Sequence, residues 1–437
     1  MQGKTNLEEF KDSTMMMILL VCSIILITTL FLQNRSTGKK SNTPKSPPRF
    51  PLIGNLHQLG RHPHRSLCSL SQRYGPLMLL HFGRVPVLVV SSADAARDVL
   101  KTHDRVFASR PWTKITEKLL YNGRDVASAP YGEYWRQMKS VCVVHLLSNK
   151  MVRSFRDVRE EEISLMIEKI RESSSLPQLK KTGNDFDEFL EKVLDDHVDG
   201  DRDGTDFVDV LLTIQRDKSV GFQLDRLSIK AIILDVFVGA TDTSYTLMEW
   251  VMTELLRHRE CLNKLQEEVR TICNGRSSVL EEDIQDMKYL KAVIKETLRL
   301  HPPLPLMAPH ESTHDVRLRE YDIPAGTQVL ISAWAIGREA LTWGLDVEEF
   351  RPERHLDSSV DFRGQDFELI PFGAGRRICP AISFAVVLNE VVLATLVHQF
   401  DWRLPVESTE DQTNVAESTG LAIHRMFPLY AIASSST

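Results

Sequence analysis

Hydrophobic positions follow two rhythms along this chain. In residues 77–92 (LMLLHFGRVPVLVVSS) apolar runs flank Phe82-Gly83-Arg84. That pattern predicts two strands joined by a tight turn and is the best β signal present. Ser92 then caps a helix predicted from about Ala93, with Asp94 well placed in its first turn. Beyond it helical spacing takes over. A long helix is predicted over 225–258, and its middle, 232–240, is apolar except for Asp235. A second covers 286–300 and stops at Pro302-Pro303, and a third runs from near Pro380 to about Phe400. Short strand-like pieces at 316–319 and 328–332 lie between those two. The expected fold is mainly α with a small β region, one large domain over 52–437.

The first fifty or so residues have a different character. Residues 15–32 are apolar or small and uncharged, just long enough to span a bilayer. A cleaved secretory signal would end in a small-x-small site, whereas here the chain continues Leu32-Gln33-Asn34-Arg35. Lys4 and Lys11 are offset by Glu8, Glu9 and Asp12 before the span, and Arg35, Lys39, Lys40, Lys45 and Arg49 follow it. The positive-inside rule therefore places the large C-terminal part in the cytosol. The expected organisation is a short lumenal tail (1–14), a transmembrane anchor (15–32), a basic Pro-rich linker (33–51) and the cytosolic domain. Pro44, Pro47, Pro48 and Pro51 make that linker stiff.

Composition narrows the function classes. With 42% hydrophobic and 26% charged residues the chain is an ordinary globular protein. A net charge of −6 argues against a general nucleic-acid binder. Its 6 cysteines contain no Cys-x-x-Cys pair, so neither a zinc pattern nor a dense disulfide framework is present. Metal chemistry would have to rest on a single cysteine.

One segment offers it: Pro371-Phe372-Gly373-Ala374-Gly375-Arg376-Arg377-Ile378-Cys379-Pro380. The glycines allow positive φ and close backbone approach to a flat ligand. Pro380 suits a first helical position, which would put Cys379 at a helix N-terminus where thiolate is favoured over thiol. Arg377 could hold a carboxylate. A lone thiolate so placed can be a nucleophile or a metal ligand; a buried structural cysteine in a Gly-rich turn is the plainer alternative.

The segment resembles the Phe-x-x-Gly-x-Arg-x-Cys signature of the cytochrome P-450 family. The resemblance implies haem b (iron protoporphyrin IX) bound in that family's fold, with Cys379 as the axial iron ligand. Phe372 and Gly375 belong to the ligand loop, and Arg377 would contact a propionate. Trp135-Arg136-Gln137-Met138-Lys139 resembles the family's Trp-Arg-x-x-Lys helix, implying that Trp135 and Arg136 also reach a propionate. His310 stands where the family usually has a further propionate-binding arginine, which implies an altered haem affinity or redox potential. Glu296, Arg299 and Arg354 occur in the family's order and would form a buried charge triad behind the cysteine loop.

Within the long helix, Gly239-Ala240-Thr241-Asp242-Thr243-Ser244 breaks the apolar run. Hydroxyl back-bonding to the previous turn would explain it simply. The resemblance implies that Asp242 and Thr243 deliver protons to bound oxygen. Two departures from the family pattern are Ala381, usually glycine, where an extra methyl meets the porphyrin, and Ala240, which narrows the oxygen groove. Asp199-Gly200-Asp201-Arg202-Asp203-Gly204 begins like a calcium loop, but Phe207 and Val210 occupy its ninth and twelfth positions, so it reads as a solvated acidic loop.

Likeness to the family extends from Pro47 to Pro428 and is closest to plant microsomal members. It implies a single-pass protein of the endoplasmic reticulum membrane, in contact with lipid. It also implies insertion of one oxygen atom of O2 into a small apolar metabolite, with electrons from NADPH–cytochrome P-450 reductase. Lys139 and Arg376 would lie near the docking face. Between Trp135 and Asp242 the chain is several tens of residues shorter than family members, with the junction around 173–183. In the family that part roofs the substrate pocket. Its loss would expose apolar surface or force repacking. A truncated, catalytically impaired haem-binding membrane protein is therefore the alternative reading, and a haem-dependent dehydration or isomerisation a third.

Overall fold

The predicted strand pair forms as β1 (Leu77–Phe82) and β2 (Val85–Val90), antiparallel, with Phe82 opposite Val85 and Gly83 at φ +63° in the turn. This computed structural model describes residues 15–25, 42–172, 184–199, 206–217, 220–405 and 414–435. β3 (His310–Glu311), β4 (Val316–Leu318), β5 (Tyr321–Ile323) and β6 (Gln328–Ile331) follow late in the chain. β2 pairs in parallel with β6, and β6 antiparallel with β3, so distant segments share one sheet ordered β1-β2-β6-β3. β4 and β5 form a separate hairpin, and β7 (Phe400–Arg403) pairs with β8 (Ile432–Ser435).

Helices make up the rest: among them α1 (Met15–Ile25), α2 (Glu133–Ser140), α3 (Arg226–Arg257), α4 (Arg259–Cys273), α5 (Lys288–Leu300) and α6 (Ile382–Gln399). α3 begins where its N-cap predicts, the Asp225 carboxylate accepting from the Ser228 N–H at 2.8 Å. Ser92 likewise caps its helix by accepting from the Ala95 N–H. The largest core lies among α3, α4, α5 and α6, where Val251, Leu265, Val293 and Leu393 are fully buried. Each such side chain contributes about 1.5–3 kcal/mol by leaving water.

α6 corrects the expectation that Pro380 opens the helix. Pro380 and Ala381 form a turn, Ala381 is the N-cap, and helical residues start at Ile382. The Cys379 N–H is spent on the Phe372 carbonyl at 2.9 Å, closing the loop, and the chain needs those two residues to turn into the helix.

α1 is the described part of the predicted anchor and is exposed throughout; residues 26–32, the rest of it, lie outside the described residues, as do the junction at 173–183 and residues 200–204 of the acidic loop. α3 is buried towards both ends and open in its middle, where Phe237 and Val238 are each 52% and Tyr245 is 56% exposed.

Candidate functional site

The loop that carries Cys379 closes through two positive-φ glycines, Gly373 at +74° and Gly375 at +65°. Phe372 braces it by packing on Phe362 with ring centroids 5.4 Å apart. Ala381 and Phe384, just beyond the cysteine, pack against a cluster that includes Trp135, Met138, Ile229 and Ile232. The loop is thereby held between α2, α3 and α6. Cys379 is a free thiol. Burial pushes that thiol above its ordinary range, and the Ala381 N–H and the Lys139 ammonium pull it down without cancelling the rise. The helix starts at Ile382, so Cys379 precedes its first turn, and the Ala381 N–H is the backbone donor that favours its thiolate.

Arg377 leaves the loop and donates to three backbone oxygens: Ala108 at 2.6 Å, Val126 at 3.2 Å, and Ala129. Its guanidinium lies 4.2 Å from the Trp135 ring, and Trp135 donates its indole N–H to Val126 O at 3.0 Å. Arg110, which sequence reasoning missed, donates to the Ala127, Ala308 and Pro309 carbonyls. Both arginines keep some accessible surface, yet their charged groups are packed deeply enough for burial to bring Arg110 down to about 10 and Arg377 to about 9, Arg377 also feeling the charge of Arg110. Among the described residues no carboxylate hydrogen-bonds to either; Asp125 acts on both only through space.

His310 joins this group. Its Nδ1–H donates to Phe107 O at 2.8 Å, and burial beside Arg110 and Arg377 drives its pKa well below the usual range. It is therefore a neutral ring at physiological pH, not the titrating charge its sequence position suggests.

Arg136 does not join it. The residue is exposed, its guanidinium 6.0 Å from the Tyr131 ring. Lys139 does, one helical turn from Trp135, with its ammonium 5.2 Å from that ring and donating to Arg376 O. Arg136, expected to reach a propionate, is thus not brought beside Arg377 and Arg110. Residue 136 sits about 100° around the helix from Trp135, whereas the i+4 position shares its face. That spacing was legible; no local pattern marks Arg110.

Asp242 and Thr243 lie on the open stretch of α3. Thr243 donates its hydroxyl to Gly239 O, the back-bond of the simpler explanation. Asp242 pairs with His424, Nε2 to Oδ1 at 3.1 Å. Earlier on α3, Asp235 accepts from the Val126 and Ala127 N–H groups at 2.6 and 3.2 Å, tying the helix to the loop that receives Arg377. Burial and the neighbouring Asp125 raise its carboxyl well above the usual range.

The expected charge cluster assembles between α5 and residues 351–355. Arg299 grips Glu296 with two bonds of 2.8 Å, and Arg354 adds one of 2.9 Å. Two partners were unforeseen: His355, 2.9 Å from Oε2, and the Arg351 N–H at 3.0 Å.

Comparison with known proteins places the chain among relatives. The cytochrome P450 family model matches residues 44–192 and 177–425. Cytochrome P450 71A26 of Arabidopsis thaliana is 69% identical over 488 aligned positions, covering 97% of this chain and 100% of the relative. Cytochrome P450 736A117 of Prunus mume is 48% identical, with 95% of each chain covered. A zebra fish cytochrome P450 structure with abiraterone superposes with a TM-score of 0.73 at 25% identity, covering 86% of this chain and 100% of that one.

Proposed function

The chain belongs to the cytochrome P450 family, and on that premise we propose a haem-thiolate monooxygenase acting on a small apolar plant metabolite. The observation that carries the proposal is the pairing of a closed Cys379 loop with two packed guanidiniums, Arg110 and Arg377, that lack a hydrogen-bonded carboxylate. Such a cluster fits a flat cofactor bearing two carboxylates, as haem b does. When bound, haem supplies the activation of O2, and a thiolate ligand favours O–O cleavage by pushing electron density onto the iron.

Around that group each residue has its task. Cys379 would hold the iron through its sulfur and is the one metal ligand proposed. Arg377, Arg110 and Lys139 supply positive charge for the propionates, and Trp135 orients Arg377 by stacking beneath it. His310 contributes packing and a fixed Nδ1–H bond, with no charge. Phe372 and Gly375 shape the loop. Asp242 and Thr243 hold and pass protons on the α3 side. The electrons come from NADPH through a reductase, and residues 15–32 anchor the protein in the endoplasmic reticulum membrane with residues 52–437 in the cytosol. The exposed apolar α1 supports that anchor.

A second reading, a shortened and impaired haem protein, draws on the open middle of α3 and on alignments of 488 positions against a chain of 437 residues, which must carry gaps on this side. The CO difference spectrum of the dithionite-reduced, membrane-expressed protein decides between them. The expected result is a strongly red-shifted Soret band that disappears in Cys379→Ser. Normal expression without any band would leave the impaired reading in its place.

A further inference from the structure

Asp242 has a neighbour that neither the cysteine motif nor the helix motif announces. His424, from the C-terminal segment, brings Nε2 within 3.1 Å of Asp242 Oδ1 and Nδ1 within 2.8 Å of Thr246 Oγ1. Asp242 and Thr246 are one turn apart on α3, so the imidazole spans an i, i+4 pair on one helix face.

The segment is held in place without Asp242. The Trp250 indole N–H donates to Ile423 O at 2.9 Å, the Arg425 N–H donates to Glu249 Oε2 at 3.1 Å, and the Ser418 N–H donates to His424 O at 2.8 Å. The Tyr245 ring packs against the imidazole with centroids 5.5 Å apart. The chain on both sides of His424 is thus fastened to α3, and the ring is placed before the carboxylate needs it.

The proton inventory gives the contact a direction. The Thr246 hydroxyl can donate to Asp242 O at 2.7 Å, leaving its oxygen to accept from Nδ1–H. Alternatively it rotates and donates to Nδ1. With the rotated hydroxyl donating to Nδ1, a neutral ring carries its proton on Nε2 and donates it to the Asp242 carboxylate; with Nδ1–H facing Thr246, Nε2 donates only when both ring nitrogens are protonated. We propose that His424 is a positioning residue: its Nε2–H selects the orientation in which Asp242 presents its carboxylate on α3. The inference rests on the assignment of Asp242 to proton delivery. With side-chain exposures of 27% for His424 and 50% for Asp242, the pair is too open to matter much for stability, so its effect should be on function.

The test uses the full chain in membranes with co-expressed reductase. Diethyl pyrocarbonate modification of His424, followed by mass spectrometry, reads the contact without haem: Asp242→Ala should speed it at least threefold by freeing Nε2, and an unchanged rate overturns the contact. Substrate-free NADPH oxidation in H2O and D2O reads the function. His424→Phe should slow oxidation at least threefold and enlarge the solvent isotope ratio, while His424→Gln, which retains an N–H donor, should restore most of both. His424→Phe indistinguishable from the parent chain, or His424→Gln as impaired as His424→Phe, overturns the positioning role. A parent chain without a CO band would sink the reading of Asp242 itself, and the modification rates would still decide the contact.

Discussion

At Gly375 a single hydrogen atom lets the cysteine loop close. A Cβ there would sit 2.0 Å from the Leu100 carbonyl oxygen, on a backbone already at φ +65°. The carbonyl belongs to main chain and cannot swing aside as a side chain would. Gly375→Ala should therefore cost at least about 1–3 kcal/mol in backbone strain alone. It should lower both the thermal midpoint and the haem bound per chain, checked by unfolding and by the pyridine haemochrome absorbance. A variant that loads haem as the parent does would remove the close approach from the account. The need for glycine here was legible because it is a local backbone property. The Arg136 and Lys139 outcome turned on helical phase, which the spacing already contained. Arg110 was not legible, since what matters is its arrival beside Arg377 from a segment 267 positions away in the chain's own numbering.

At the scale of elements, α5 is joined to the segment before the cysteine loop by a single carboxylate. Glu296 is fully buried, and against the opposing cost of burial its five donors, two from Arg299 and one each from Arg354, His355 and the Arg351 N–H, bring it down to about 2. His355 donates from Nε2 while its buried Nδ1 has no hydrogen-bond partner, consistent with a ring kept neutral by burial. Because the folded value is depressed, the stabilisation is fully present above the ordinary carboxylate range and is lost as pH falls through about 2. Urea unfolding across that acid range should show the parent losing stability more steeply than Glu296→Gln. At neutral pH Glu296→Ala strands two buried arginines and should cost about 3–5 kcal/mol. Equal acid sensitivity in parent and Glu296→Gln would show that the cluster does not govern acid unfolding. An i,i+3 acid–base pair says little by itself, and only the order of motifs along the chain pointed to a cluster. His355 escaped notice because a histidine following an arginine carries no spacing signal. Element existence was readable from periodicity, as with α3 and its Asp225 cap, whereas the start of α6 was set by a tertiary bond, Cys379 N–H to Phe372 O.

For the molecule as a whole, the open middle of α3 is the consequential feature. The sequence reading expected a missing covering segment either to expose apolar surface or to force repacking, and Val238 on this stretch is 52% exposed. The family model meets the chain as two pieces that overlap at 177–192, across the end of the junction expected at 173–183, which lies outside the described residues. Length itself could only be judged against relatives, because nothing in a helix's own pattern says what should lie above it. Covering the exposed half of Val238 is worth about 1 kcal/mol, a modest gain in stability. The larger expected effect is on the site, since Asp242 and Thr243 lie on the same open stretch, His424 reaches it from the C-terminal segment, and exclusion of water strengthens every polar contact there. Grafting the corresponding segment of cytochrome P450 71A26 between residues 172 and 184 tests this directly. The graft should at least halve the fluorescence of a bound apolar dye and raise haem content per chain. A graft that folds, leaves dye binding unchanged and adds no haem would mean that α3 needs no further cover to hold haem.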